Sequence, residues 1–195
     1  MTTISSDALD QLFFNAHTAY GWQDKPVDDA LLRKLYETLR MAPTAANSNP
    51  ARIVFVRTPE AKRKLKDALS PGNVDKTMAA PVTAILAYDM EFYEKLPRLM
   101  PHVDARSWFA GNAESILHTA KQSGTLQGAY LILAARALGL DCGPMGGFDA
   151  AKVDALFLEG TTWRSNFLVN LGYADVSKNF PRNPRLDFEE TCKIV

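Results

Sequence analysis

Cysteine, histidine and net charge are all in short supply in this 195-residue sequence, and each shortage removes a class of function. There are two cysteines, Cys142 and Cys192, far apart and in no Cys-x-x-Cys pair. Neither a disulfide framework nor a thiolate metal site is expected, and both thiols are read as reduced. The three histidines, His17, His102 and His118, are scattered without a His-x-x-x-His pair, which argues against a metal centre. Lysine plus arginine number 22, matching 22 aspartates and glutamates, so no basic surplus points to nucleic acid or an anionic membrane. No apolar run approaches membrane-spanning length. Residues 1–20 hold Asp7 and Asp10 and lack a cationic start followed by an apolar core, so no secretory signal is expected and the cytoplasm is the default location. Gly139, Gly143, Gly146 and Gly147 do not form a Gly-x-Gly-x-x-Gly fingerprint, and no phosphate-loop lysine motif exists. No serine sits in a nucleophile elbow. A chain without these devices could borrow its chemistry from a cofactor.

What is present is one domain's worth of alternating helix and strand, with no repeats and no low-complexity tract. Ser6 is positioned to cap a helix over residues 7–16. Asp28 is positioned to cap another through Arg40, where Leu31, Leu32, Leu35, Tyr36 and Leu39 recur at helical spacing. Residues 52–57 read as a strand, Pro59 opens a basic helix to about Leu69, and residues 70–73 form a turn before a short helix over 74–79. Residues 82–88 read as a buried strand. Asn112 caps a long helix to Leu138, with Gly139 as its stop. Strands are expected over 140–145 and 166–173, with a helix from Asp149 to about Leu158 between them. A polar, Pro-rich tail follows, with a short helical piece near Phe188. The irregular alternation implies an α+β or mixed α/β domain.

Two segments stand out. Pro43-Thr44-Ala45-Ala46-Asn47-Ser48-Asn49-Pro50 joins a helix to a strand. Its prolines fix the backbone, and its short polar side chains would suit a polar ligand. An ordinary helix-to-strand connector accounts for the same residues. The second segment, residues 126–149, carries Gln127, then Leu138-Gly139-Leu140, then Gly143-Pro144-Met145-Gly146-Gly147.

Together these segments resemble the FMN-dependent nitroreductase family, whose signatures are a Pro-Ser/Thr-x-x-Asn-x-Gln-Pro loop and a Gln-bearing helix ending in Leu-Gly-Leu before a Gly-rich strand end. The likeness runs from about Thr18 to Arg185. Within the family the chain is most similar to the malonic semialdehyde reductases of the Rut uracil-degradation pathway, through Pro50-Ala51-Arg52-Ile53-Val54-Phe55, Asp104-Ala105-Arg106-Ser107-Trp108-Phe109 and the 143–149 segment. The resemblance implies an α+β fold, a central mixed sheet flanked by helices, in an intertwined homodimer with the long helix at the interface. Gly124 and Gly128, one turn apart on that helix, would permit close backbone approach.

The resemblance also implies FMN as cofactor, NADH or NADPH as co-substrate, and hydride passed through flavin N5 to a small acceptor. Arg185 aligns with a phosphate-gripping arginine, with Lys178 and Arg182 beside it. In the 16–22 run, Thr18 can stand for the family's serine and His17 for an arginine, while Ala16 and Tyr20 depart from its basic pattern. Asn73 and Lys76 occupy the turn that meets the ring's pyrimidine edge. Pro144, Met145, Gly146 and Gly147 would set backbone against N5, and Pro43, Thr44, Asn47 and Asn49 would reach the site from the other subunit. Residues 90–111 would cover the ring, with Phe92, Tyr93, Trp108 and Phe109 as walls and Arg106 holding a substrate carboxylate. The implied reaction is malonic semialdehyde to 3-hydroxypropanoate. The alternatives are a broad nitroaromatic or quinone reductase, or a non-catalytic flavin-binding protein.

Overall fold

Asn112 starts the element that organises the molecule: its side-chain oxygen accepts the Ser115 N–H at 3.0 Å, and helix α6 runs from Ala113 to Ala137. Gly139, at φ +80°, ends it in the left-handed turn that favours glycine. The computed structural model in which this is seen describes residues 2–195. The elements before α6 are α1 (Ser6–Leu9), α2 (Asp29–Leu39), β1 (Ala51–Val56), α3 (Pro59–Lys66), α4 (Pro71–Ala79), β2 (Val82–Asp89) and α5 (Leu96–Leu99). After it come β3 (Asp141–Met145), α7 (Ala150–Phe157), β4 (Trp163–Gly172) and α8 (Phe188–Thr191).

The four strands form one sheet in the order β1-β2-β4-β3, and every ladder is antiparallel. The α+β class is as expected. The mixed character expected of the sheet is reduced, among the described residues, to one isolated parallel bridge between Thr18 and Cys142. Alternation along the strands sorts two cores. Val82, Ala84, Leu86, Val169 and Leu171 face α2 and α6. Ile85, Leu168 and Met145 face α3 and α7. Helices therefore cover both faces of the sheet, which is why β2 is a nearly continuous apolar run. No helix among the described residues is long and apolar enough to cross a membrane.

Several boundaries differ from the sequence reading for identifiable reasons. Ser5, not Ser6, caps the first helix, which passes into a wider turn over Asp10–Phe14. Helix α4 begins at Pro71, because proline's fixed φ suits the first helical turn. Strand β4 begins at Trp163, three residues early, where Thr162 and Trp163 continue the pairing with β2 through Asp89. Residues 90–111, expected only as a cover with no element assigned, hold α5 and two short 3-10 turns around a small core of Phe92, Leu96, Ala105, Phe109 and Ile116.

The close approach expected at Gly124 and Gly128 is made to the chain's own sheet. A Cβ on Gly124 would lie 3.1 Å from the Tyr88 Cβ, and one on Gly128 would lie 2.4 Å from the Phe167 Cζ.

Candidate functional site

Three distant segments meet where the tail crosses the first helix. Arg182 Nη2 donates to the Phe14 and Ala16 carbonyls, each at 2.7 Å. Arg136, in the last turn of α6, donates to the Leu12 carbonyl at 2.9 Å, and Gln11 returns a bond to the Arg136 carbonyl at 2.7 Å. The result is a cavity of about 370 Å³ lined by His17, Thr18, Arg136, Arg182 and Arg185, with Tyr20 and Phe180 at its side. No carboxylate lines it, and none of the three arginines is in an ion pair among the described residues. Such a cavity suits a dianionic phosphate. His17, Thr18 and Arg185 thus come together. Arg136 was not expected: a cation at a helix end reads as a complement to the helix dipole, and only the fold carries it to His17. Lys178 lies apart, 3.8 Å from Asp175 and folded across Gly21. Tyr20, in place of a basic residue, stacks edge-on against Phe180 at 4.8 Å and lies 4.9 Å beneath the Lys76 ammonium.

The turn at the start of α4 is bolted to the end of β3. Ser70 N–H and the Asn73 amide both donate to the Gly147 carbonyl, at 3.0 and 2.8 Å. A Cβ on Gly147 would fall 2.6 Å from Asn73 Nδ2 and would displace that amide, whereas a Cβ on Gly146 would meet open space. Met145 turns its side chain into the core, where its sulfur accepts the Thr77 hydroxyl at 3.4 Å, so only its backbone is available. Burial pushes the Lys76 ammonium below the ordinary lysine value. A flat ring with a polar edge fits this combination: a backbone shelf open at Gly146, an amide and a cation.

The 43–50 loop carries its own strain. Ala46, Asn47 and Asn49 have φ of 52°, 51° and 42°. Asparagine tolerates this region; alanine pays about 1–2 kcal/mol. The neighbours enforce it. Asn49 N–H donates to Thr44 Oγ1 at 3.2 Å, and the Asn47 amide donates to the Leu99 carbonyl at 2.8 Å. From α6, Ser123 accepts the Ala45 N–H and Gln127 accepts the Ala51 N–H at 2.9 Å. Asn47 and Asn49 face a groove of about 810 Å³ with Arg52, Lys95, Arg98 and Trp163. That groove and the arginine cavity share no lining residue, so within one chain Asn47 and Asn49 are not brought to Arg185.

In the 90–111 segment, Phe92 and Phe109 are core residues with rings 5.0 Å apart, so neither is a free wall. Trp108 is exposed. Arg106 is held by Glu94 through two bonds, at 2.6 and 2.8 Å, and that contact keeps the Glu94 carboxyl below the usual range.

The nitroreductase family model matches residues 15–173. A Burkholderia lata protein named "Putative NADH dehydrogenase/NAD(P)H nitroreductase" is 64% identical over 194 residues, covering 100% of both chains. A protein of the same description from Ralstonia nicotianae is 57% identical over 195 residues, again covering 100% of both. Among solved structures, a protein from Exiguobacterium sibiricum described as a "putative nitroreductase in complex with FMN" superposes with a TM-score of 0.87 at 19% identity, covering 100% of both chains, which shows a shared fold. With this fold, this match and these relatives, the chain belongs to the nitroreductase family, oxidoreductases that use FMN with NAD(P)H.

Proposed function

We propose that the chain acts as a homodimer holding FMN between two copies, and that its acceptor is a small carboxylate-bearing aldehyde, malonic semialdehyde, reduced to 3-hydroxypropanoate. The observation that carries the cofactor placement is the convergence of His17, Thr18, Arg136, Arg182 and Arg185 on one cavity free of carboxylates. These residues hold the phosphate. Asn73 and Lys76 meet the polar edge of the ring, and the backbone at residues 144–147 forms the shelf beside it. The strained 43–50 loop, remote from the cavity in its own chain, serves the site of the second copy. FMN held there would supply hydride transfer, by way of N5, from NADH or NADPH to the acceptor.

The acceptor assignment rests on Arg106. Its partner Glu94 shows that the guanidinium already binds a carboxylate with two of its nitrogens, Nε and Nη2. The pair is exposed, and exposed ion pairs are weak ties, so a substrate carboxylate can replace Glu94 at little cost. Exposed Trp108, two residues on, favours a second reading, a flat nitroaromatic or quinone acceptor.

Anaerobic mixing separates the two readings. The flavin band of the loaded protein should bleach with NADH or NADPH and return on adding malonic semialdehyde. Return with a nitroaromatic or a quinone but not with the aldehyde would reject the aldehyde assignment in favour of the second reading.

A further inference from the structure

Among the described residues Lys62 is the only buried lysine or arginine. It sits on the inner side of α3 with Leu65. Its Nζ donates to the Thr77 carbonyl at 2.7 Å, the Ala80 carbonyl at 2.8 Å and Thr83 Oγ1 at 2.8 Å. An ammonium has three donors, and all three are used. No carboxylate is within ion-pair reach among the described residues. A buried cation facing only neutral groups is costly. Methionine would fill the same space without that cost, so packing alone does not explain lysine here.

The acceptors do explain it. Thr77 and Ala80 lie in the last turn and at the end of α4, where helix carbonyls lack partners and the dipole favours a cation. Beyond them, Thr83 Oγ1 donates to Asn170 Oδ1 at 2.7 Å. Asn170 Nδ2 donates to Thr77 Oγ1 at 3.2 Å and to the Lys76 carbonyl at 3.4 Å, where Trp22 Nε1 also donates at 2.9 Å. Thr77 Oγ1 continues to the Met145 sulfur. One buried network therefore grips both segments assigned to the ring: α4 at Lys76 and the end of β3 at Met145.

We propose that Lys62 is a positioning residue for the flavin ring: from beneath the site it fixes the end of α4 and, through Thr83, Asn170 and Thr77, holds Lys76 where the ring's polar edge lies. This rests on the reading that Lys76 faces that edge. The arginine cavity shares none of these residues. Loss of Lys62 therefore weakens the preference for reduced over oxidised FMN and leaves oxidised FMN affinity within about threefold.

The test measures FMN affinity and the two-electron midpoint potential of holoprotein carrying K62M, K76M or both, with thermal melting as the check on folding. In K62M the reduced-to-oxidised affinity ratio should fall about tenfold, a midpoint lower by about 30 mV. K62M should add nothing in the K76M background. A wild-type potential in K62M beside a shifted K76M overturns the role of Lys62 and leaves the ring reading standing. No shift in K76M overturns the ring reading itself. Additive shifts also overturn the proposal, since Lys62 would then act without Lys76. If K62M does not fold, T83V, which keeps the lysine and removes one link, should lower the potential in the same direction; an unchanged potential there overturns the proposal.

Discussion

Replacing Gly128 by alanine sets two calculable effects against each other. In a plain helix interior, alanine is favoured over glycine by about 1 kcal/mol. Here the new Cβ would stand 2.4 Å from Cζ and 2.8 Å from Cε1 of Phe167. Carbon contacts settle near 3.5 Å, so the ring or the helix must move by about 1 Å. Phe167 is wedged against the α2–α6 core, and crowding of that kind costs about 1–3 kcal/mol. The expected net loss is about 1 kcal/mol, or roughly 2–4 °C in Tm for a domain of this size. At Gly124 the nearest atom is the Tyr88 Cβ at 3.1 Å, so the two effects nearly cancel and Gly124→Ala should stay within about 0.5 kcal/mol of wild type. Urea unfolding of the single variants and of Gly128→Ala with Phe167→Leu completes the test. The leucine lacks the clashing atoms, so the pair should be less destabilised than the sum of the singles by about 0.5 kcal/mol or more. A Gly128→Ala protein more stable than wild type would refute the reasoning. So would a loss that appears only as a concentration-dependent midpoint, which would assign the glycine to an interface between copies.

Three further outcomes follow from the site. Arg185→Ala and Arg136→Ala should each weaken FMN binding by roughly 10–100-fold, the value of one charge-assisted contact, read by flavin fluorescence titration; unchanged affinity would remove that arginine from the phosphate cavity. Burial pushes the Lys62 ammonium from 10.5 down to about 8. Below about pH 8 folded and unfolded chains both hold the proton and the burial penalty is fully present. Between about 8 and 10.5 only the unfolded chain holds it, so this residue's contribution to stability rises with pH, by roughly 3 kcal/mol in all. Cys142, pushed up to about 12 by burial, acts in the opposite sense above about 9. The difference between wild type and K62M in urea titrations isolates the lysine, and equal pH slopes would contradict the shift. Finally, Arg106→Ala should raise KM for a carboxylate-bearing aldehyde more than for a neutral one, and Glu94→Ala should lower it; equal effects on both aldehydes would exclude the carboxylate role.

Elements marked by a cap and a period were legible in the sequence. Asp28, Asn112 and Asp149 all cap the helices read from them, and Gly139 ends α6 as expected. The 90–111 segment was not, because its short turns pack around Phe92 and Phe109 rather than along one face. At the candidate site, the grouping of Arg185 with His17 and Thr18 was legible only through the family resemblance, since Arg185 lies 167 positions after Thr18. Arg136 and Lys62 were illegible for another reason. A helical arginine or lysine ordinarily reads as a solvated face, and nothing local shows that α6 ends beside the first helix or that α3 turns Lys62 inward.

The 43–50 loop also bears on how long the protein lasts. Asparagine ages when the backbone nitrogen of the following residue attacks its side-chain carbonyl and closes a succinimide. At Asn47 that nitrogen belongs to Ser48, whose N–H is engaged by the Ala45 carbonyl at 3.0 Å. The Asn47 amide itself is tethered to Leu99. Asn49 precedes Pro50, whose nitrogen carries no hydrogen to lose. The backbone that presents both amides thus also disfavours the ring closure by which each would deamidate.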